Sequence, residues 1–221
     1  MPELVQGIVL DTFKFKETSV VCKVFTLQHG CISVIIHGVG KQKSEFNLIH
    51  LQPLSEIEFV VYLNEKKGIS KVKELHLLAT TFGLEPNMSR YSISIFISEI
   101  VLRTFKEWET EPDLYDLLHY VSQIIGASNQ TIHDVHLFFI SKYTEILGFS
   151  IKSDIENDPL LGLDQNSKNS LFALVQLVDY QPFCVNKNSR SCLIKFFMNY
   201  LERHIEMPKI KSLQILEEVL S

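Results

Sequence analysis

The stretch from His37 to Ser44 reads H-G-V-G-K-Q-K-S, and its residue types suit one task, the holding of phosphate oxygens. Gly38 and Gly40 let the backbone turn tightly, Lys41 and Lys43 supply point charges, and Ser44 adds a hydroxyl. Alone, such a turn describes solvated surface more often than a phosphate cradle. Its meaning depends on what holds it in place. Other chemistry is poorly represented: no G-x-S-x-G, H-E-x-x-H, Walker loop or dinucleotide fingerprint occurs, and no cysteine combines a nearby histidine with a basic setting. An enzyme is not expected. His133 and His136, spaced i, i+3, could share a helix face, but without acidic or cysteine partners in register they are not read as metal ligands.

The elements around the turn are short and β-rich. L-V-Q-G-I-V-L-D-T-F-K-F, S-V-V-C-K-V-F-T-L, C-I-S-V-I-I-H-G, L-S-E-I-E-F-V-V-Y-L and I-S-K-V-K-E-L-H-L follow one another from Leu4 to Leu77, separated by turn signals. In the fourth run Ile57, Phe59, Val61 and Leu63 fall on one face and Glu56 and Glu58 on the other, as a half-buried strand requires. Five antiparallel strands, with a longer excursion from Gly38 to Pro53 between the third and fourth, have the count and spacing of an OB barrel. An SH3-like barrel is the main rival. Beyond Thr80 the period becomes helical. Helices are expected from an Asn87 cap to about Lys106, after Glu111-Pro112, and over 133–147, 167–179, 189–204 and 210–220, with a long loop at about 150–166. The fold class is α+β multidomain, with a five-stranded barrel at 1–80 and an all-α domain at 81–221. The apolar runs Leu193–Leu201 and S-L-Q-I-L-E-E-V-L are read as core helices in preference to a partner's groove.

A chain of 221 residues, 46% hydrophobic and 21% charged, can bury a substantial core without a staple. Cys22, Cys31, Cys184 and Cys192 have neither C-x-x-C spacing nor disulfide-scaffold density, so reduced packing thiols are expected. With neither a signal-type N-terminus nor an apolar run of spanning length, a cytoplasmic protein without membrane contact is expected. The net charge of −5 argues against a polyanionic partner, but it is unevenly spread. Residues 1–80 hold nine lysines against eight acidic residues; the acidic excess lies beyond them.

The ordered set G-I-V-L at 7–10, K-E at 16–17, V-F-T at 24–26, H-G at 37–38, K-x-K-S at 41–44 and L-Q-P-L at 51–54 resembles the RecO family of recombination mediators. The likeness continues through F-I-S-E at 96–99, E-P at 111–112, L-G-F at 147–149 and K-S-L-Q-I-L at 211–216. It implies an OB domain and a helical domain in a bacterial DNA repair protein, nucleoid-associated during repair. Such a protein binds single- and double-stranded DNA, anneals strands, works with RecR, contacts single-stranded-DNA-binding protein and indirectly assists RecA loading. On that basis the expected DNA contacts are Lys14, Lys16, Lys23, His37, Lys41, Lys43 and Ser44. Phe13 and Phe15 are left out, because Phe alternating with Lys is the pattern of a core-facing strand. Two departures matter. The stretch 150–164 has none of the four zinc-ligand cysteines many relatives carry, so no metal or other cofactor is expected. Gly40 and Glu45 stand where basic residues are common, which implies weaker DNA affinity. The alternative is a protein-protein adaptor of the repair machinery with weak or no direct DNA binding.

Overall fold

The computed structural model describes residues 1–39, 48–64, 66, 68–81, 87–127, 131–149, 151, 163–183 and 185–220. Five strands, β1 (Glu3–Lys16), β2 (Ser19–Thr26), β3 (Gly30–His37), β4 (Glu56–Tyr62) and β5 (Ile69–Ala79), close into a barrel in the order β1-β2-β3-β5-β4. The expected strands are all present, but one pairing differs from the all-antiparallel expectation: β3 and β5 run parallel, through Ser33, Val34 and Ile35 against Ile69, Ser70 and Lys71. The reason is arithmetic. A closed ring with an odd number of strands cannot alternate direction all the way round, so one neighbouring pair must be parallel.

The barrel interior is filled by Val9, Val24, Ile32, Val34, Ile57, Phe59 and Val61, each fully buried. Period-two alternation puts them there. It also accounts for the unbroken apolar run Ile8-Val9-Leu10: Val9 faces inward, while Ile8 and Leu10 join Phe25, Cys31 and Leu54 in a second core built mainly by the helices. One end of the barrel's outer surface is therefore interior to the molecule.

Six helices follow among the described residues: α1 (Met88–Thr104), α2 (Pro112–Gly126), α3 (Val135–Ile146), α4 (Gln165–Gln176), α5 (Lys187–His204) and α6 (Ser212–Val219). Asn87 caps α1 by accepting the Arg90 amide at 3.0 Å, and Pro112 occupies the first turn of α2, where its missing N–H is not needed. Asp164 and Asn186 cap α4 and α5 by accepting the amides of Ser167 at 2.7 Å and Ser189 at 2.8 Å. Both helices thus start two residues before their expected Ser, because the carboxylate or amide three positions upstream is the better cap. α1 packs against the barrel, α3 and α6, burying Ile93, Phe96, Ile97, Ile100 and Val101 as its spacing foretells.

Glu56 corrects the expectation of an open polar face on β4. It points away from the barrel lumen yet is only 8% exposed, and its Oε1 accepts hydrogen bonds from His119 Nδ1 and Gln123 Nε2, both at 3.0 Å, and from Ser122 Oγ. All three donors lie on α2. Strand periodicity identifies the outward side of β4 but not the helix that covers it.

Candidate nucleic-acid interface

The strand register lines up side chains in rows across the outer face of β1, β2, β3 and β5. The lowest row, Ile8, Phe25 and Cys31, is buried under the helices. Next come Asp11, Lys23, Ser33 and Ile69, and above them Phe13, Val21, Ile35 and Lys71, with Tyr62 of β4 beyond. The top row is Lys16, Ser19 and His37. In the upper rows Phe13 is 50% exposed and Tyr62 46%, and Lys16, His37 and Lys71 are exposed while Ser19 is buried; Lys14, next to Phe13 on β1, is exposed as well. Aromatic planes interleaved with ammonium groups on an open sheet are what a flexible polyanion with stackable bases requires.

The second row is partly taken. The chain leaving α1 crosses it as a strap: the Trp108 amide donates to the Cys31 carbonyl at 2.9 Å, Phe105 packs edge-on to Phe25 at 5.9 Å, and Glu107 forms an isolated bridge with Cys31. The Glu107 carboxylate accepts the Ser33 hydroxyl at 2.7 Å and lies 3.6 Å from Lys23 Nζ. A carboxylate thus engages both the Lys23 ammonium group and the Ser33 hydroxyl. Lys23 and Glu107 are 36% and 40% exposed, so this pair contributes only about 0–1 kcal/mol.

The expected contact residues fall into four groups. Lys14 and Lys16 stand exposed at the far end of β1, and Lys16 Nζ sits 5.6 Å from the Phe15 ring centroid. His37 is exposed, with its Nδ1 2.9 Å from Ser19 Oγ. Lys23 is drawn to Glu107. Lys41, Lys43 and Ser44, with Gly40 and Glu45, lie outside the described residues. The described chain ends at Val39, where the amides of Gly38 and Val39 both donate to the Thr18 carbonyl, at 2.6 and 3.1 Å, and Gly38 adopts φ +83°. The glycine is needed there because an L side chain rarely takes that φ.

Two of the sequence readings require revision. Phe13 and Phe15 are not core residues: they are 50% and 56% exposed, because β1 pairs with β4 only as far as Ile8 and its remainder extends with β2 beyond the barrel. His133 and His136 do not share a face, since His133 is exposed ahead of α3 while His136 is buried against Phe96. Lys71 and Tyr62 were missed. Their place beside Ile35 follows from the parallel β3–β5 pairing, which links segments more than 30 residues apart and leaves no local signal.

The thiols in this region are inert. Burial pushes both Cys22 and Cys31 up to about 11, so neither is a nucleophile near neutral pH. No group of three or more metal-ligating side chains converges among the described residues. Among those residues, too, no helix is long and apolar enough to cross a membrane.

Residues 1–81, the barrel and the two residues after it, match the family model described as Recombination protein O N terminal. Across the whole length the chain is similar to three proteins named DNA repair protein RecO. That of Flavobacterium psychrophilum is 24% identical over 98% of both chains, and that of Christiangramia forsetii 24% over 97% of both. That of Phocaeicola vulgatus is 22% identical over 97% of this chain and 98% of its own. The barrel thus matches the N-terminal model of the RecO family, and the likeness to proteins named DNA repair protein RecO runs through the helices to the chain's end.

Proposed function

We propose that the chain is a recombination mediator of DNA repair that binds single- and double-stranded DNA through the upper rows of the barrel. The observation that carries this reading is the open band of Phe13, Lys16, His37, Lys71 and Tyr62, flanked by the exposed Lys14, which offers ammonium groups to phosphates and aromatic planes to bases. Lys41, Lys43 and Ser44, outside the described residues, are included in this proposal on their residue types alone. The barrel, residues 1–80, holds the DNA; the helical part, residues 81–221, meets protein partners. Strand annealing and RecA loading with RecR and single-stranded-DNA-binding protein, in the bacterial cytoplasm, are proposed from the likeness to the RecO proteins and need no bond-breaking chemistry.

A salt titration tests the DNA contact. Fluorescence anisotropy with a labelled oligonucleotide should show affinity falling as salt rises. Lys14→Glu with Lys16→Glu, and separately Lys41→Glu with Lys43→Glu, should each weaken binding by about tenfold or more and flatten the salt slope. A flat wild-type titration at low salt would sink the reading. The second reading, a protein-protein adaptor, draws on Glu107 occupying Lys23 and Ser33 and on the net charge of −5. It predicts that flat titration.

A further inference from the structure

A groove of about 600 Å³ opens between β1 and α1. β1 leaves β4 after Ile8, so from Asp11 onward no strand covers its second edge among the described residues. The strands contribute Asp11, Phe13, Lys14 and Lys23 to the lining, and α1 contributes Tyr91 and Arg103. Phe13 and Tyr91 are 50% and 36% exposed, presenting an aromatic ring from each side of the junction. The α1 carboxylate in the groove, Glu99, is already engaged: it accepts the Lys211 and Ser212 amides at 3.1 and 2.8 Å, the Ser212 hydroxyl at 2.7 Å and Arg103 Nη2 at 3.4 Å. Burial alone would raise its pKa, but these donors outweigh burial and lower it. Asp11 is less engaged, holding its own neighbour's amide, Thr12 N–H, at 2.7 Å.

Few ligands need all of these groups at once. A volume of this size falls within the range of sites that enclose small molecules, about 300–1,000 Å³. Exposed rings recognise a flat π-surface, Lys14, Lys23 and Arg103 recognise phosphates, and a carboxylate accepts from the exocyclic amine of a base. We propose that the groove receives unstacked bases of single-stranded DNA, so that a strand on the barrel face continues across the junction and is read by α1 as well. This rests on the DNA-binding function proposed above and adds to it Tyr91 and Arg103 as contacts outside the barrel. Duplex DNA is excluded from the groove, because its base faces are hidden in the stack.

The full-length wild type and the variants Tyr91→Ala and Arg103→Gln, each checked for folding by thermal melt, are titrated with labelled oligothymidylate and with a labelled duplex at the same salt. Each variant should lose about fivefold or more in affinity for the single strand, while duplex binding stays within about twofold of wild type. Should Tyr91→Ala fail to fold, Arg103→Gln carries the comparison, since the Arg103 side chain is 38% exposed and its ion-pair partner among the described residues is Glu99. Equal losses on both DNAs, or no loss on either, overturn the groove assignment. A wild type that binds neither DNA overturns the proposed function itself, and the two failures are thereby distinguished.

Discussion

In the proposed DNA complex a phosphate would have to compete with Glu107, 3.6 Å away, for the Lys23 ammonium group. Because the resident pair is exposed and weak, exchange is inexpensive, yet each binding event must still displace a like charge. Glu107→Gln should therefore tighten DNA binding several-fold and steepen the logarithmic salt dependence by about 0.7–0.9, one additional phosphate contact. Glu17→Gln, an acid exposed in the β1–β2 turn, serves as the control for net charge alone; equal gains from the two variants would remove the competition argument. His136 makes a different kind of prediction. Burial first, and the Arg190 charge second, lower its pKa from 6.5 to about 3, so it is neutral in the folded protein, and its Nδ1 has no hydrogen-bond partner among the described residues. An unfolded chain takes up that proton and the folded one does not, so stability is complete above about pH 6.5 and declines as pH falls below it. Urea melts between about pH 7 and pH 5 should show the decline, and His136→Leu should flatten it. Asp134, ion-paired to Arg190 at 2.7 Å, has its pKa raised mainly by burial and so pulls the opposite way as pH falls.

At the scale of elements, the strap after α1 is fixed from below by Gly30. Its φ is +61°, and a Cβ added there would stand 1.9 Å from the Glu109 carbonyl oxygen, a backbone atom that cannot swing aside. Gly30→Ala should cost about 2 kcal/mol and lift the strap from Cys31, read as faster hydrogen exchange at the Trp108 amide. The glycine ahead of β3 is visible in the sequence as a turn; the strap it admits is not, because the strap comes from a segment about 75 residues away. The same division runs through the whole reading. All five strands and the apolar faces of α1 and α2 were legible, since period and capping are local properties. Phe13 and Phe15 were misread because alternation shows which residues share a face and says nothing of whether anything covers it. Lys71 and Tyr62 went unnoticed because ring closure, a nonlocal event, sets them beside Ile35.

Across the molecule, barrel and helices are joined by the apolar core around Ile8, Leu10 and Phe25 and by the buried Glu56 carboxylate with its three donors on α2. Glu56→Ala would take away the acceptor of His119 Nδ1 and Gln123 Nε2, while the Ser122 hydroxyl keeps the His119 carbonyl at 2.7 Å, a loss of about 2 kcal/mol in chemical denaturation. A gain in stability would show that desolvating the carboxylate outweighs its hydrogen bonds. The shared core also bears on how portable the barrel is. Cut after residue 81, it would carry Ile8, Leu10, Phe25, Cys31 and Leu54 as a contiguous greasy patch, each residue no more than 3% exposed in the intact chain. During synthesis that patch must stay bare until α1 and α3 emerge from the ribosome, well after β5 has closed the ring. The N-terminal third is thus a recognisable unit of evolution without being a self-sufficient unit of folding, and a fragment expressed alone should clump unless those five positions are made polar.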